Sequence, residues 1–294
     1  MNVADAMTPR EDLVTVSLPG TREDALAYLQ EQDFSSVAVL KENNDAEEET
    51  DSEGDSEGEQ FRGLVTRESL IARPDEDQLA ILAEEPPTIA SDTTIEELAD
   101  LMVESGTRRV PVVDKVLLGI VTVTDVIRAM AEGDLDGDTE VGDLVRDQIH
   151  TLYQGTPLPV AERQLAHAGV PYGVVLDDSA SMCGVLTEVD VLAVARIVEG
   201  ETDTGEAVAN QDDEWMWEGI KAVGNRYMPT RNVEIPAEPV SEFMSNDTIT
   251  LTRTKTATEA AQRMIGSDIE QIPLVSGGEL AGIIRDVDLL GALR

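Results

Sequence analysis

A single cysteine, Cys183, in 294 residues has no partner for an intrachain disulfide and cannot build a cysteine-based zinc site. Aromatic residues are only 3% of the chain, so a core must be assembled from Val, Ile, Leu, Ala and Met, and the 41% hydrophobic content excludes wholesale disorder. Lysine occurs only at 41, 115, 221 and 255, and cations are scarce throughout: 21 Lys plus Arg face 60 Asp plus Glu, a formal net charge of -39. A field of that sign repels phosphate backbones and anionic headgroups, so neither nucleic acid nor a membrane surface is expected as a partner. Arginine outnumbering lysine in so acidic a chain is the balance of proteins from salt-rich cytoplasms, and a halophilic source is expected. No apolar run approaches the roughly 18 residues of a membrane span, and residues 1–13 lack a leader's basic start and apolar core, so the expected location is cytoplasmic.

What the chain does have is an internal repeat. Four segments begin with a short anchor, Val3–Met7, Leu79–Ala83, Val141–Val145 and Val240–Met244, and continue with Thr plus an apolar residue at 15, 88, 151 and 250. Thr21, Thr94 and Thr256 each precede an acid by three residues (Asp24, Glu97, Glu259), the spacing of a helix-starting capping box. Helical faces such as Leu98, Leu101 and Met102 follow. Next come β-rich runs at 37–40, 110–113, 174–176 and 272–275, and then a glycine opening a second strand that runs into another helix: Gly63, Gly119, Gly184 and Gly282. From anchor to glycine (83 to 119, 145 to 184, 244 to 282) the last three repeats measure 36, 39 and 38 residues. The first is longer by an acidic Asn/Ser/Gly stretch, 42–59, read as a disordered loop.

A β-α-β-β-α unit of about 55 to 60 residues buries little surface alone, so pairing is expected. The reading is an α/β (α+β) chain of four units: 1–73, 76–132, 139–199 and 237–294, with an acidic hinge at 133–138 and an insertion at 200–236. The stretch Asp213–Tyr227 holds Trp215 and Trp217 and is expected as an amphipathic helix, either filling a groove between pairs or docking a partner.

Glycine, two aliphatic residues, Ser or Thr, two variable residues and Asp resembles the signature of the cystathionine-β-synthase (CBS) domain. It stands here as Gly119-Ile-Val-Thr-Val-Thr-Asp125 and Gly184-Val-Leu-Thr-Glu-Val-Asp190, with Gly282-Ile-Ile-Arg-Asp-Val-Asp288 departing at the Thr position. Arg108-Arg-Val-Pro-Val-Val-Asp114 is similar to the family's inner strand. The resemblance implies four CBS repeats in two Bateman modules arranged as a disc, like stand-alone archaeal CBS proteins and the γ subunit of AMP-activated protein kinase. It also implies a non-catalytic regulator with no required cofactor, whose clefts take AMP, ADP, ATP or S-adenosylmethionine. The implied partners are that adenine nucleotide, a regulated protein and a second copy of the chain.

One ionised carboxylate can accept from both hydroxyls of a ribose, which makes Asp125, Asp190 and Asp288 the ribose candidates. Thr122 with Asp125 and Thr187 with Asp190 equally fit capping boxes that need no ligand. The first repeat has Ser69 instead, and its site is expected to be empty or altered. Guanidinium forks suit phosphate, so Arg108, Arg109 and Arg285 are the phosphate candidates; each could instead pair with a nearby acid. By resemblance Thr88, Thr122, Thr151, Thr187, Thr250, Val110, Val112 and Ile272 line the adenine slot, although apolar strand residues are core first.

The rival classes are an enzyme, such as a nucleotide hydrolase, and a scaffold or ion sensor that binds no nucleotide. Against the enzyme, the chain has no Gly-x4-Gly-Lys-Ser/Thr loop, no Gly-x-Ser-x-Gly elbow and no His/Glu metal motif, and His150 and His167 make neither a metal site nor a triad. No catalytic or metal-binding residue is expected. Asp134–Asp138 begins like a calcium loop but lacks its Gly and Glu, and Cys183 is expected to be buried and inert.

Overall fold

The computed structural model describes residues 1–29, 36–41, 60–66, 69, 76–145, 148–194, 196–199, 220–223, 226–229 and 231–294. The expected acidic loop 42–59 and both tryptophans lie outside these residues. No helix among the described residues is long and apolar enough to cross a membrane.

The first repeat opens with a helical turn, Val3–Ala6, and β1 (Thr8–Pro9). Its sheet holds β2 (Thr15–Leu18), β3 (Ser36–Lys41) and β4 (Gln60–Thr66) in that order, β2 parallel and β4 antiparallel to β3. In the second repeat β5 (Arg109–Asp114) pairs antiparallel with β6 (Val116–Thr122), and Ile89 adds a parallel bridge to Val112. The third repeats the first: β7 (Thr151–Tyr153) parallel to β8 (Tyr172–Leu176), and β8 antiparallel to β9 (Met182–Thr187). The expected capping boxes form at Thr94 with Glu97 and at Thr256 with Glu259, starting the helices Ile95–Ser105 and Ala257–Ser267. Ile95, Leu98, Ala99 and Met102 turn one face of the first of these helices into the core, the 3.6-residue spacing made physical.

The signature glycines explain how repeats pair. An added Cβ would lie 2.4 Å from the Glu84 carbonyl oxygen at Gly63, 2.4 Å from that of Thr8 at Gly119, and 2.9 Å from that of Ser245 at Gly184. In each case the intruding carbonyl belongs to the residue that directly follows the neighbouring repeat's anchor. The anchors bridge or pair there: Leu64 with Glu84, Thr8 with Ile120 in the β1–β6 pair, and Val185 with Ser245. The first two repeats therefore exchange anchors across each other's glycines, and Ala38, Leu40 and Leu64 meet Leu117 and Ile120 in a shared apolar cluster. In the third and fourth repeats, Val174 and Val185 pack with Ile283.

The chain divides into two compact units, Met1–Val145 with Leu251–Ile272 and Ile284–Arg294, and Arg146–Thr250 with Pro273–Ile283. Strands β14 (Gln271–Ser276) and β15 (Glu279–Arg285) of the fourth repeat form a two-stranded sheet.

Two features differ from the sequence reading. The insertion enters and leaves on an antiparallel pair, β10 (Arg196–Glu199) with β13 (Arg231–Glu234), and its later part is the hairpin β11 (Ile220–Val223) with β12 (Arg226–Pro229) rather than a continued helix. Ile220, Val223 and Tyr227, β-branched or aromatic, favour strands and override the helical period. The acidic connector 133–138, expected as a hinge, is docked: Leu135 is 7% exposed, and the Thr258 N–H donates to the Gly137 carbonyl at 3.0 Å. The backbone hydrogen bond ties this segment to the helix Ala257–Ser267, with Gly137 packed against Thr258.

Candidate functional site

The sheet brings two of the three expected arginines, Arg108 and Arg109, and one expected aspartate, Asp125, to the same edge. Arg109 faces Thr122 across β5–β6, and the Val123 N–H donates to the Arg108 carbonyl at 3.0 Å, which sets Asp125 one turn into the helix Val123–Glu132. A cleft of about 270 Å³ opens here, lined by Leu64 and Thr66 of the first repeat and by Glu84, Pro86, Arg108 and Arg109 of the second. Strand end Thr66 leads to Ser69, 2% exposed, whose hydroxyl accepts from the Thr66 N–H at 3.0 Å. The first repeat thus keeps the cap and lacks the carboxylate.

The aspartates cap first. Asp125 Oδ2 accepts from the Thr122 N–H (2.9 Å) and hydroxyl (2.7 Å), and Oδ1 accepts from Arg128 at 3.1 Å. Asp190 Oδ2 accepts from the Thr187 N–H and hydroxyl, both at 2.8 Å. Asp288 Oδ2 accepts from the Arg285 N–H at 3.1 Å, and its carboxylate takes the Arg285 guanidinium as a fork at 2.9 and 2.7 Å. The ion-pair alternative for Arg285 is therefore the one present, because an arginine has no acceptor to offer the helix and turns its donors to the adjacent carboxylate.

Arg108 is also engaged. Its Nη1 and Nη2 donate to Asp286 at 3.0 and 2.6 Å, and Nη2 lies 3.0 Å from Glu270. Burial alone would lower its pKa, but the hydrogen bonds and charge of Asp286, with Glu270, outweigh it and hold the guanidinium above its ordinary value. Asp286 was not legible as a partner, since 178 residues separate the two. A local hint was available: an acid directly after the strand, where the second repeat has Val123.

The slot residues divide. Val110, Val112 and Ile272 are 0% exposed, so their side chains belong to the core and present no surface to a ligand. Thr88 and Thr151 are exposed, and Thr122, Thr187 and Thr250 are half-buried. Cys183 is half-buried rather than buried, and burial followed by the charge of Asp177 pushes its thiol pKa up. Among the described residues no group of three or more His, Cys, Asp or Glu could hold a metal ion.

The CBS domain model matches residues 80–132, 141–196 and 240–294. The chain belongs to the CBS-domain family. The first repeat, outside those matches, has the same parallel-then-antiparallel sheet as the CBS repeat at 141–196. The chain is similar to an uncharacterised protein of Methanocaldococcus jannaschii, 24% identical over 290 residues covering 98% of this chain and 61% of that one, so it spans less than two thirds of that relative. Among solved structures, a conserved protein of Pyrococcus horikoshii is 24% identical with a TM-score of 0.67 over the whole of both chains. A Methanocaldococcus jannaschii protein, described as a proposed archaeal homologue of γ-AMPK, is 18% identical with a TM-score of 0.66, again over both whole chains. These likenesses show that the chain shares its fold with both structures over its whole length, the first repeat included.

Proposed function

We propose that the chain is a non-catalytic regulator that binds an adenine nucleotide or S-adenosylmethionine in its CBS-pair clefts and conveys that state to a protein partner. The observation that carries this reading is the cleft walled by the first two repeats, where a chain of net charge -39 sets two adjacent arginines, Arg108 and Arg109. Guanidinium groups there suit phosphoryl oxygens. Because Arg108 also holds Asp286 and Glu270, a phosphate that recruits it competes with both carboxylates, and the fourth repeat's helix start registers the ligand.

The direct test is a melting series with AMP, ADP, ATP and S-adenosylmethionine at high salt. A ligand at a hundred times its dissociation constant adds about 2.7 kcal/mol of stability to the state that binds it. No shift with any of the four at saturation would end the nucleotide reading.

The carboxylates rank by what they have left to offer. Asp190 uses one oxygen for its cap, Asp125 shares its second with Arg128, and Asp288 gives both to Arg285. Asp190→Asn keeps a capping acceptor and loses the charged one, so nucleotide affinity should fall roughly ten- to a hundredfold while ligand-free melting barely moves. Asp288→Asn should instead lower ligand-free stability and leave affinity alone. Calorimetric titrations beside ligand-free melts read both quantities, and unchanged affinity in Asp125→Asn and Asp190→Asn together would remove ribose binding from these positions.

A further inference from the structure

A second cleft, of about 640 Å³, lies at the other end of the first repeat's sheet from Thr66 and Ser69. Its wall includes Leu18, Gly20, Lys41, Arg62, Gln78 and Glu85. The volume is that of a small-molecule site, for which about 300–1,000 Å³ is usual.

Arg62 is placed by a bulge. Val39 faces Gly63 and Leu40 faces Phe61, so Arg62 is the extra residue of β4 with no partner across the ladder. The same bulge recurs in the second and third repeats, where the extra residues are Leu118 and Cys183. A bulge re-aims the side chain it frees, and only here among these three does it carry a charge. Lys41 stands two residues beyond the valine that faces the glycine; its counterparts beyond Val112 and Val175 are Asp114 and Asp177. The first repeat therefore reverses the charge at one position and adds a cation at the other. Neither Lys41 nor Arg62 makes a side-chain hydrogen bond or ion pair with any described residue. Two cations on one cleft wall, with no acid partner among the described residues, suit a multiply charged anion able to compete with the ten acids that follow Lys41 in the sequence up to Glu59.

We propose that this cleft binds the phosphoryl groups of a small di- or triphosphate on Lys41 and Arg62, at a site separate from the CBS-pair clefts. Lys41 faces Gln60 and Arg62 lies two residues further along β4, so the two cations stand apart on one wall and can address separate phosphoryl groups. Two cations against Glu85 leave the described wall net positive, and the arginine fork suits phosphate oxygens.

Calorimetric titration of the full chain with inorganic pyrophosphate, at fixed salt and with sulfate as the single-centre control, tests this. The expected result is binding that prefers pyrophosphate, weakened roughly ten- to a hundredfold by Arg62→Gln or Lys41→Gln and kept by Lys41→Arg, with ligand-free melting unchanged in all three. Absence of binding at millimolar pyrophosphate, equal affinity for sulfate, or affinity that survives both glutamine variants and falls with Arg109→Gln would overturn it. Pyrophosphate carries no adenosine, so failure here leaves the nucleotide reading of the pair clefts standing, and failure of that reading leaves this one.

Discussion

Arg108→Ala should lower the unfolding free energy of the ligand-free chain by about 2–4 kcal/mol, as read from denaturant midpoints. Asp286 is 6% exposed at its side chain, and truncating its partner leaves a carboxylate held away from water. Breaking a fully buried pair from one side costs about 3–5 kcal/mol. Arg108, 36% exposed, already has some access to solvent, which trims the figure. Asp286→Ala should cost less, about 1–2 kcal/mol, because the stranded cation can reach water and still has Glu270 at 3.0 Å. The double variant should cost less than the sum of the two. The asymmetry is the decisive part: equal losses from the two single variants would mean that Asp286 is as well solvated as Arg108, and the pair would then join nothing of consequence.

Gly119→Ala should cost about 2–4 kcal/mol, with the loss concentrated in the pairing of the first two repeats. The new methyl group would sit 2.4 Å from the Thr8 carbonyl oxygen and 3.0 Å from Met7 Sδ. Met7 can swing away, but Thr8 belongs to the β1–β6 ladder and cannot move without breaking it. Overpacking of this kind usually costs about 1–3 kcal/mol, and more when backbone is what must yield. Gly266→Ala is the matched control: it lies in the helix Ala257–Ser267 with nothing within 4 Å of the added methyl, and should stabilise by about 0.5–1 kcal/mol. If Gly119→Ala melted with the parent, the anchor would not be seated on that glycine in solution. Amide exchange at residues 3–9 and 116–122 would show whether the loss is local to the exchanged anchor.

The strands and capping boxes were readable because their causes are local. Thr94 and Glu97, or Thr256 and Glu259, sit three residues apart and need nothing else to start a helix. The phase of the glycines carried the repeat even where side chains diverge, as at Ser69 and Arg285. What escaped the sequence depends on partners far away in the chain. Arg108 could be read as phosphate-seeking or acid-paired, but not as bound to Asp286. Arg62 reads as an ordinary strand residue until the register shows that it is the unpaired one. Val110 and Val112 alternate with Pro111 as any buried strand does, and periodicity alone cannot separate a core valine from a slot-lining one.

The exchange of anchors also sets an order of events during synthesis. The β1 anchor seats on Gly119 and Ile120, which emerge from the ribosome about a hundred residues later, and the first repeat's Gly63 and Leu64 wait for Glu84. Until then the N-terminal unit exposes Ala38, Leu40 and Leu64, apolar groups whose covering partners, Leu117 and Ile120, are not yet made. Contacts of such separation are slow to close, so the nascent first repeat is the species most exposed to aggregation and to chaperone capture. A stalled chain with residues exposed only to about 105 should be recovered with chaperone bound, and one with residues exposed past 132 should be released.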